Sequence, residues 1–192
     1  MPRLLSLIGA AALLAACNRH NTMVVADPRS VAAAAHIAAN PTAMDAPDFV
    51  HAAAANDMFE IQTAKLAEER SKSPEVRAYA AAMLRDHTQS SAGLKAVIAT
   101  AGQTLTLPNV ITADMQTKLD SLTGIGAAEF DKTYLADQVA AHQAALTIMQ
   151  FYADKGDMPA LKAFAGQTSV VVQLHLSQAR ALAEGLKPAI ST

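Results

Sequence analysis

Residues 161–185 read LKAFAGQTSVVVQLHLSQARALAEG. Within them Leu161, Phe164, Thr168, Val171, His175, Gln178 and Leu182 recur at alternating steps of three and four. That spacing is a heptad-like helical stripe, and a strand, whose side chains repeat every two residues, does not produce it. A helix with such a stripe must bury it against other helices, so this segment sets the fold class as all-α.

Working outward, Gly156 closes the preceding helix, Asp157 is expected to cap the next one, and Pro159 lies in its first turn. The preceding helix spans about 127–155, with Phe130, Tyr134, Gln138, Ala141, His142, Ala145, Ile148 and Tyr152 on its stripe. Before it, TADMQTKLDSL (112–122) forms a short amphipathic helix that Gly124 and Gly126 terminate. Two further long helices precede the loop GQTLTLPNV. One runs from about Asp48 to Arg70, the other from Pro74 to near Gly102, with Ser73 as N-cap and Pro74 at the first helical position. Four long helices with mostly short connections predict an antiparallel four-helix bundle over 48–185, with the short helix inside the long link between the second and third. The composition agrees: alanine is the largest single contributor to the 52% hydrophobic residues, aromatics make up 4%, and Trp is absent. Such a chain favours closely packed helices over sheets.

The N-terminus reads as a secretory signal over 1–16. Arg3 precedes an apolar run from Leu4 to Leu14, too short to span a membrane as a mature helix. Leu14-Ala15-Ala16-Cys17 resembles a bacterial lipobox, and Cys17 is the sole cysteine. Lipid attachment at Cys17 accounts for a lone cysteine in an exported protein without invoking a free thiol. Residues 17–47, carrying Pro28, Pro41 and Pro47, are read as a lipidated tether, and 186–192 as a tail. Asn18 follows the cysteine in place of the aspartate that retains such proteins at the inner membrane. The expected location is therefore the periplasmic face of the outer membrane, with the lipid as the membrane contact. Loss of Arg3 leaves 14 basic against 17 acidic side chains, and no basic patch points to nucleic acid.

Four chemically unusual residues share one depth. Glu60, His87, His142 and His175 lie 12 to 17 residues into their helices, roughly 18 to 26 Å from the helix starts at 1.5 Å per residue. In an antiparallel bundle the helix middles coincide. Burying these groups without partners would cost a few kcal/mol each. Two readings satisfy them: a hydrogen-bonded polar layer, or one transition-metal ion, with Zn, Fe, Mn and Cu all compatible with imidazole and carboxylate ligands. No Glu-x-x-His motif occurs, so a two-metal oxidase is not supported. Asp86 either orients an imidazole from a neighbouring helix or pairs with Arg85 at the surface, and Asp137 is a second candidate for the role behind the ligands. His51 is too near its helix start to join the layer.

Three segments, DFVHAAAANDMFEIQTAKLAEERSKSPEVRAYAAAMLRDHTQ (48–89), FDKTYLADQVAAHQAAL (130–146) and LKAFAGQTSVVVQLHLSQAR (161–180), resemble a large bacterial envelope family. That family has a ferritin-like four-helix domain of unknown function and is often labelled an outer-membrane protein. Its motifs match at Glu60, at Asp86-His87, at Asp137 and His142, and at His175. Members usually have Asp-His together in the third helix, where this chain has Ala141-His142. The resemblance implies the fold and an envelope location, and brings no activity. No nucleophile, base and oxyanion set can be assembled, so an enzyme is not indicated. The leading expectation is a lipid-anchored periplasmic protein with a binding or structural role, such as envelope stress adaptation, acting with an as yet unnamed protein partner or as an oligomer. The alternative is a single-site metal-binding, sensing or redox protein using the Glu/His layer.

Overall fold

A computed structural model describes residues 44–102 and 104–186. The signal segment, Cys17, most of the tether and nearly all of the tail lie outside the described residues. Five helices follow in order: α1 (Ala46–Arg70), α2 (Pro74–Thr100), α3 (Ala113–Gly124), α4 (Ala127–Lys155) and α5 (Pro159–Gly185). No strand occurs among the described residues, and none of these helices is long and apolar enough to cross a membrane.

Local chemistry sets the helix limits. Asp45 caps α1 by accepting the Asp48 backbone N–H at 2.9 Å, and Pro47 sits in the first turn. The helix thus begins inside the expected tether, and it does so because Met44 and Ala46 are buried with Phe49. Ser73 caps α2 through the Val76 N–H, as its sequence position predicts. Asp157 does not cap α5. Its carboxylate instead accepts the Tyr152 hydroxyl at 2.7 Å, leaving Met158 as a cap without a side-chain bond. Arg70 ties three elements together: it donates to the Leu122, Thr123 and Ile125 carbonyls and lies 4.8 Å over the Phe130 ring. These bonds satisfy carbonyls left open at the end of α3.

The core divides into two main apolar clusters. One holds Phe49, Leu94, Tyr152 and Leu161, with Phe49 stacked on Tyr152 at 4.0 Å. The other holds Val76, Tyr79, Met83, Leu122, Phe130, Tyr134 and Ala179. Along α1 and α5 the first cluster comes first; along α2 and α4 the second does. Because α2 ends at one cluster and α4 starts at the other, residues 101–126 must travel the length of the helices. That requirement is why this link is long and carries α3. Helices α1 and α2 pack together, as do α4 and α5, and the two pairs meet through α2 with α5 and α1 with α4.

The stripe on α5 is rotated from its expected position. Leu161, Ala165, Val172, His175, Leu176 and Ala179 are buried, whereas Val171 is 41% exposed and Gln178 faces solvent. Successive residues on a helix stand about 100° apart, so Val172 and Ala179 take the inward direction and their neighbours Val171 and Gln178 are turned onto the flank.

Candidate metal centre

Between the two clusters, each long helix contributes a polar side chain to one buried layer. Glu60 on α1, His87 on α2, His142 on α4 and His175 on α5 are all at most 4% exposed. The three imidazoles form a near-equilateral triangle, with centroids 5.6 Å (His87–His142), 5.7 Å (His87–His175) and 5.4 Å (His142–His175) apart. One ring nitrogen from each lies within 4.8 Å of the other two. At that outer limit an ion at the centre stands about 2.8 Å from each nitrogen, so closure by about 0.7 Å reaches the 2.0–2.1 Å of a metal–imidazole bond.

The opposite nitrogen of each ring is already engaged. His87 Nδ1–H donates to Asp57 Oδ1 at 2.8 Å, and Asp57 Oδ2 accepts the Ser91 hydroxyl at 3.2 Å. His142 Nδ1–H donates to the Gln138 carbonyl at 2.9 Å. His175 Nε2–H donates to Asp86 Oδ2 at 3.0 Å. Because these partners are acceptors, they fix each tautomer and leave the other nitrogen with a lone pair. Those nitrogens, His87 Nε2, His142 Nε2 and His175 Nδ1, are buried without a hydrogen-bond partner among the described residues, as is Glu60 Oε1.

Glu60 is anchored by Gln138, whose Nε2 donates to Oε2 at 2.6 Å while its Oε1 accepts the Tyr79 hydroxyl at 3.1 Å. Its free oxygen lies 3.8 Å from His142 Nδ1, the nitrogen already given to the Gln138 carbonyl. The clustered ligand set is therefore the three histidines, and Glu60 stands beside them as a nearby negative charge rather than as a fourth member. Asp86 bonds Arg85 at 2.8 Å on its outer side and His175 at 3.0 Å on its inner side. Asp137 has no hydrogen bond to the layer among the described residues; burial raises its pKa, with Lys118 opposing. His51 is buried along an apolar groove of about 240 Å³ lined by Phe59, Ile148 and an alanine wall, outside the trio.

Two participants were not singled out in the sequence. Asp57 holds His87, and its signal was the spacing Asp57-x-x-Glu60, which puts both carboxylates on one helix face. Gln138 appeared only as a stripe residue, yet it touches Glu60, Tyr79, Thr63 and His142.

Burial pushes the Glu60 carboxyl above its ordinary range, against the pull of His87 and the Gln138 hydrogen bond. Burial also opposes charge on His87, but the Asp57 hydrogen bond and the Glu60 carboxylate outweigh it and hold this pKa above the usual value. His142 is pushed down to about 4 by burial and by the neighbouring His87. His175 is likewise pushed down to about 4 by burial, with His142 and His87 adding to it and the Asp86 bond opposing. One proton on His87 can serve only one neighbouring lone pair, so the layer retains more acceptors than donors. A cation at the centre satisfies all three nitrogens together.

A family profile described as "Domain of unknown function (DUF4142)" matches residues 31–182. No curated protein matches the chain. Among solved structures, the crystal structure of a DUF305 fragment from Deinococcus radiodurans is similar, at 16% identity and a TM-score of 0.63, covering 84% of this chain and 99% of that one. At that identity the likeness speaks to the helical fold alone.

Proposed function

From the premise that the chain belongs to the DUF4142 family, a domain family of unknown function, we propose that it binds a single transition-metal ion between His87, His142 and His175. The observation that carries this reading is a trio of buried imidazoles that each bring one ring nitrogen within 4.8 Å of the others, every ring having one nitrogen held by an acceptor and the other buried without a partner among the described residues. Metal-bound histidines show this pattern because the acceptor fixes the ring and raises its basicity. Asp57, Glu60 and Asp86 supply negative charge that offsets the ion. Three neutral imidazoles favour Zn(II) or Cu(II) over Mn(II), which prefers oxygen ligands. The scaffold is an antiparallel four-helix bundle of ferritin-like type, and a lipid on Cys17 tethers it in the cell envelope. Its role there is holding an ion for storage, delivery or sensing.

Protein purified without an affinity tag should carry, or take up after stripping, close to one equivalent of metal. The ion should also raise the unfolding midpoint, because a ligand that binds only the folded state stabilises it. Less than about a tenth of an equivalent, with no shift of the midpoint at saturating metal, refutes the reading. In that case the raised pKa of His87 favours the second reading, a structural layer in which a proton on His87 takes the place of the ion.

A further inference from the structure

We infer that the ion reaches this centre, and leaves it, through one mouth between α2 and α5, so that the site is exchangeable and not sealed. This rests on the metal-binding reading. Exposure around the layer falls in one direction. The side chains of His142 and Glu60 are 0% exposed, those of His175 and His87 3% and 5%, and that of Asp86 22%. Solvent therefore approaches from the Asp86 side and is shut out behind His142.

A cavity of about 20 Å³ lies on that open side, lined by Asp57, Asp86, His87, Ser90, Val171 and His175. This volume holds about one water. Water at that place stands beside two of the three histidines and the aspartates bonded to them, on the solvent side of the layer. A three-histidine ion takes its fourth ligand from solvent, and this is the side from which solvent comes. An ion with an open position exchanges by trading a water for an incoming group, whereas a closed four-ligand site must first break a protein bond.

The walls of the mouth also have the sign a cation requires. Asp57 and Asp86 both line it, and they repel anions while concentrating cations at its lip. Asp86 is the first carboxylate met from solvent. Its Oδ2 holds His175 at 3.0 Å, and the exposed Arg85 donates to both carboxylate oxygens, at 2.8 Å to Oδ1 and 3.2 Å to Oδ2. An arriving metal ion displaces the Arg85 guanidinium, a side chain 68% exposed, and then passes inward to the imidazoles.

The test plugs the mouth without touching the ligands. Val171 and Ser90 sit on opposite walls, on α5 and α2, and neither contacts a histidine ring through a hydrogen bond. Cobalt(II) loading of the stripped full-length protein is followed by stopped-flow absorbance, and unloading by excess chelator. Val171→Trp and Ser90→Trp should each slow both rates roughly tenfold while the dissociation constant stays within about twofold, since an obstacle on the path raises the barrier in both directions alike. Unchanged rates in both variants, with wild-type helix content by circular dichroism, overturn the mouth and leave metal binding intact. Failure of the wild-type protein to take up cobalt overturns metal binding itself, and the mouth with it. Should one variant not fold, the other, on the facing helix, still decides.

Discussion

Acidifying the metal-free protein from pH 7 to pH 5 tests the electrostatics of the layer directly. His142 and His175 are held near pKa 4 in the folded protein, against about 6.5 in an unfolded chain. A histidine with a depressed folded pKa contributes stability above its unfolded pKa, and that stability is lost as pH falls from about 6.5 towards 4. Between pH 7 and 5 the loss is about 2 kcal/mol per histidine, about 3 kcal/mol for the two once the wetter rim at His175 is discounted. His87 acts in the opposite sense. Its raised folded pKa gives stability that is fully present below about 6.5 and is lost as pH rises through the folded value. Glu60, an acid with a raised folded pKa, also favours the folded state as pH falls. Both trim the net effect, so the informative quantity is a difference between two proteins. Urea unfolding by circular dichroism, with chelator present, should show His142→Gln losing about 2 kcal/mol less than wild type between pH 7 and 5, because its amide takes no proton. Equal losses in the two proteins would refute the argument that His142 is kept neutral by burial and by His87.

Three other outcomes follow from particular contacts. Asp57→Asn weakens the acceptor that holds His87 Nδ1–H, so metal affinity should fall about 10- to 100-fold in a competition titration while the stoichiometry stays at one; no change in affinity would show that Asp57 does not orient the ligand. Gly156→Ala should cost about 1–3 kcal/mol of unfolding free energy, since a Cβ there lies 2.6 Å from the Tyr152 carbonyl oxygen and from its ring, and a variant as stable as wild type would mean the α4–α5 turn adjusts freely. Cys17→Ser should move the protein from the membrane to the soluble fraction after cell lysis, and continued membrane retention would count against the lipid anchor.

The fold was largely legible because its signals are local. Proline in the first turn of α1, α2 and α5, the Ser73 cap and Gly156 each act within a few residues of themselves. Where the structure departs from the local signals, a tertiary contact redirects a local preference. Asp157, a good cap by type, is drawn to the Tyr152 hydroxyl, and α1 starts early because Met44 and Ala46 have a core to enter. The stripe on α5 was assigned to Val171 and Gln178 on spacing alone, yet the buried face is a matter of helix rotation. With 100° between successive residues, a one-residue error in that assignment turns a wall of the core into a solvent-facing side chain.

The sequence by itself determined that the chain is helical and that Glu60, His87, His142 and His175 lie at one depth, since rise per residue and helix limits are properties of the backbone. It did not determine which ring nitrogen faces inward or that Asp57, Gln138 and Asp86 stand behind the rings. Those depend on side-chain rotamers and on how four helices turn against one another, and packing alone selects them. Tertiary structure decided the chemistry: it spent one nitrogen of each histidine on an acceptor and left the other buried without a partner among the described residues, in a three-histidine cluster that a cation completes.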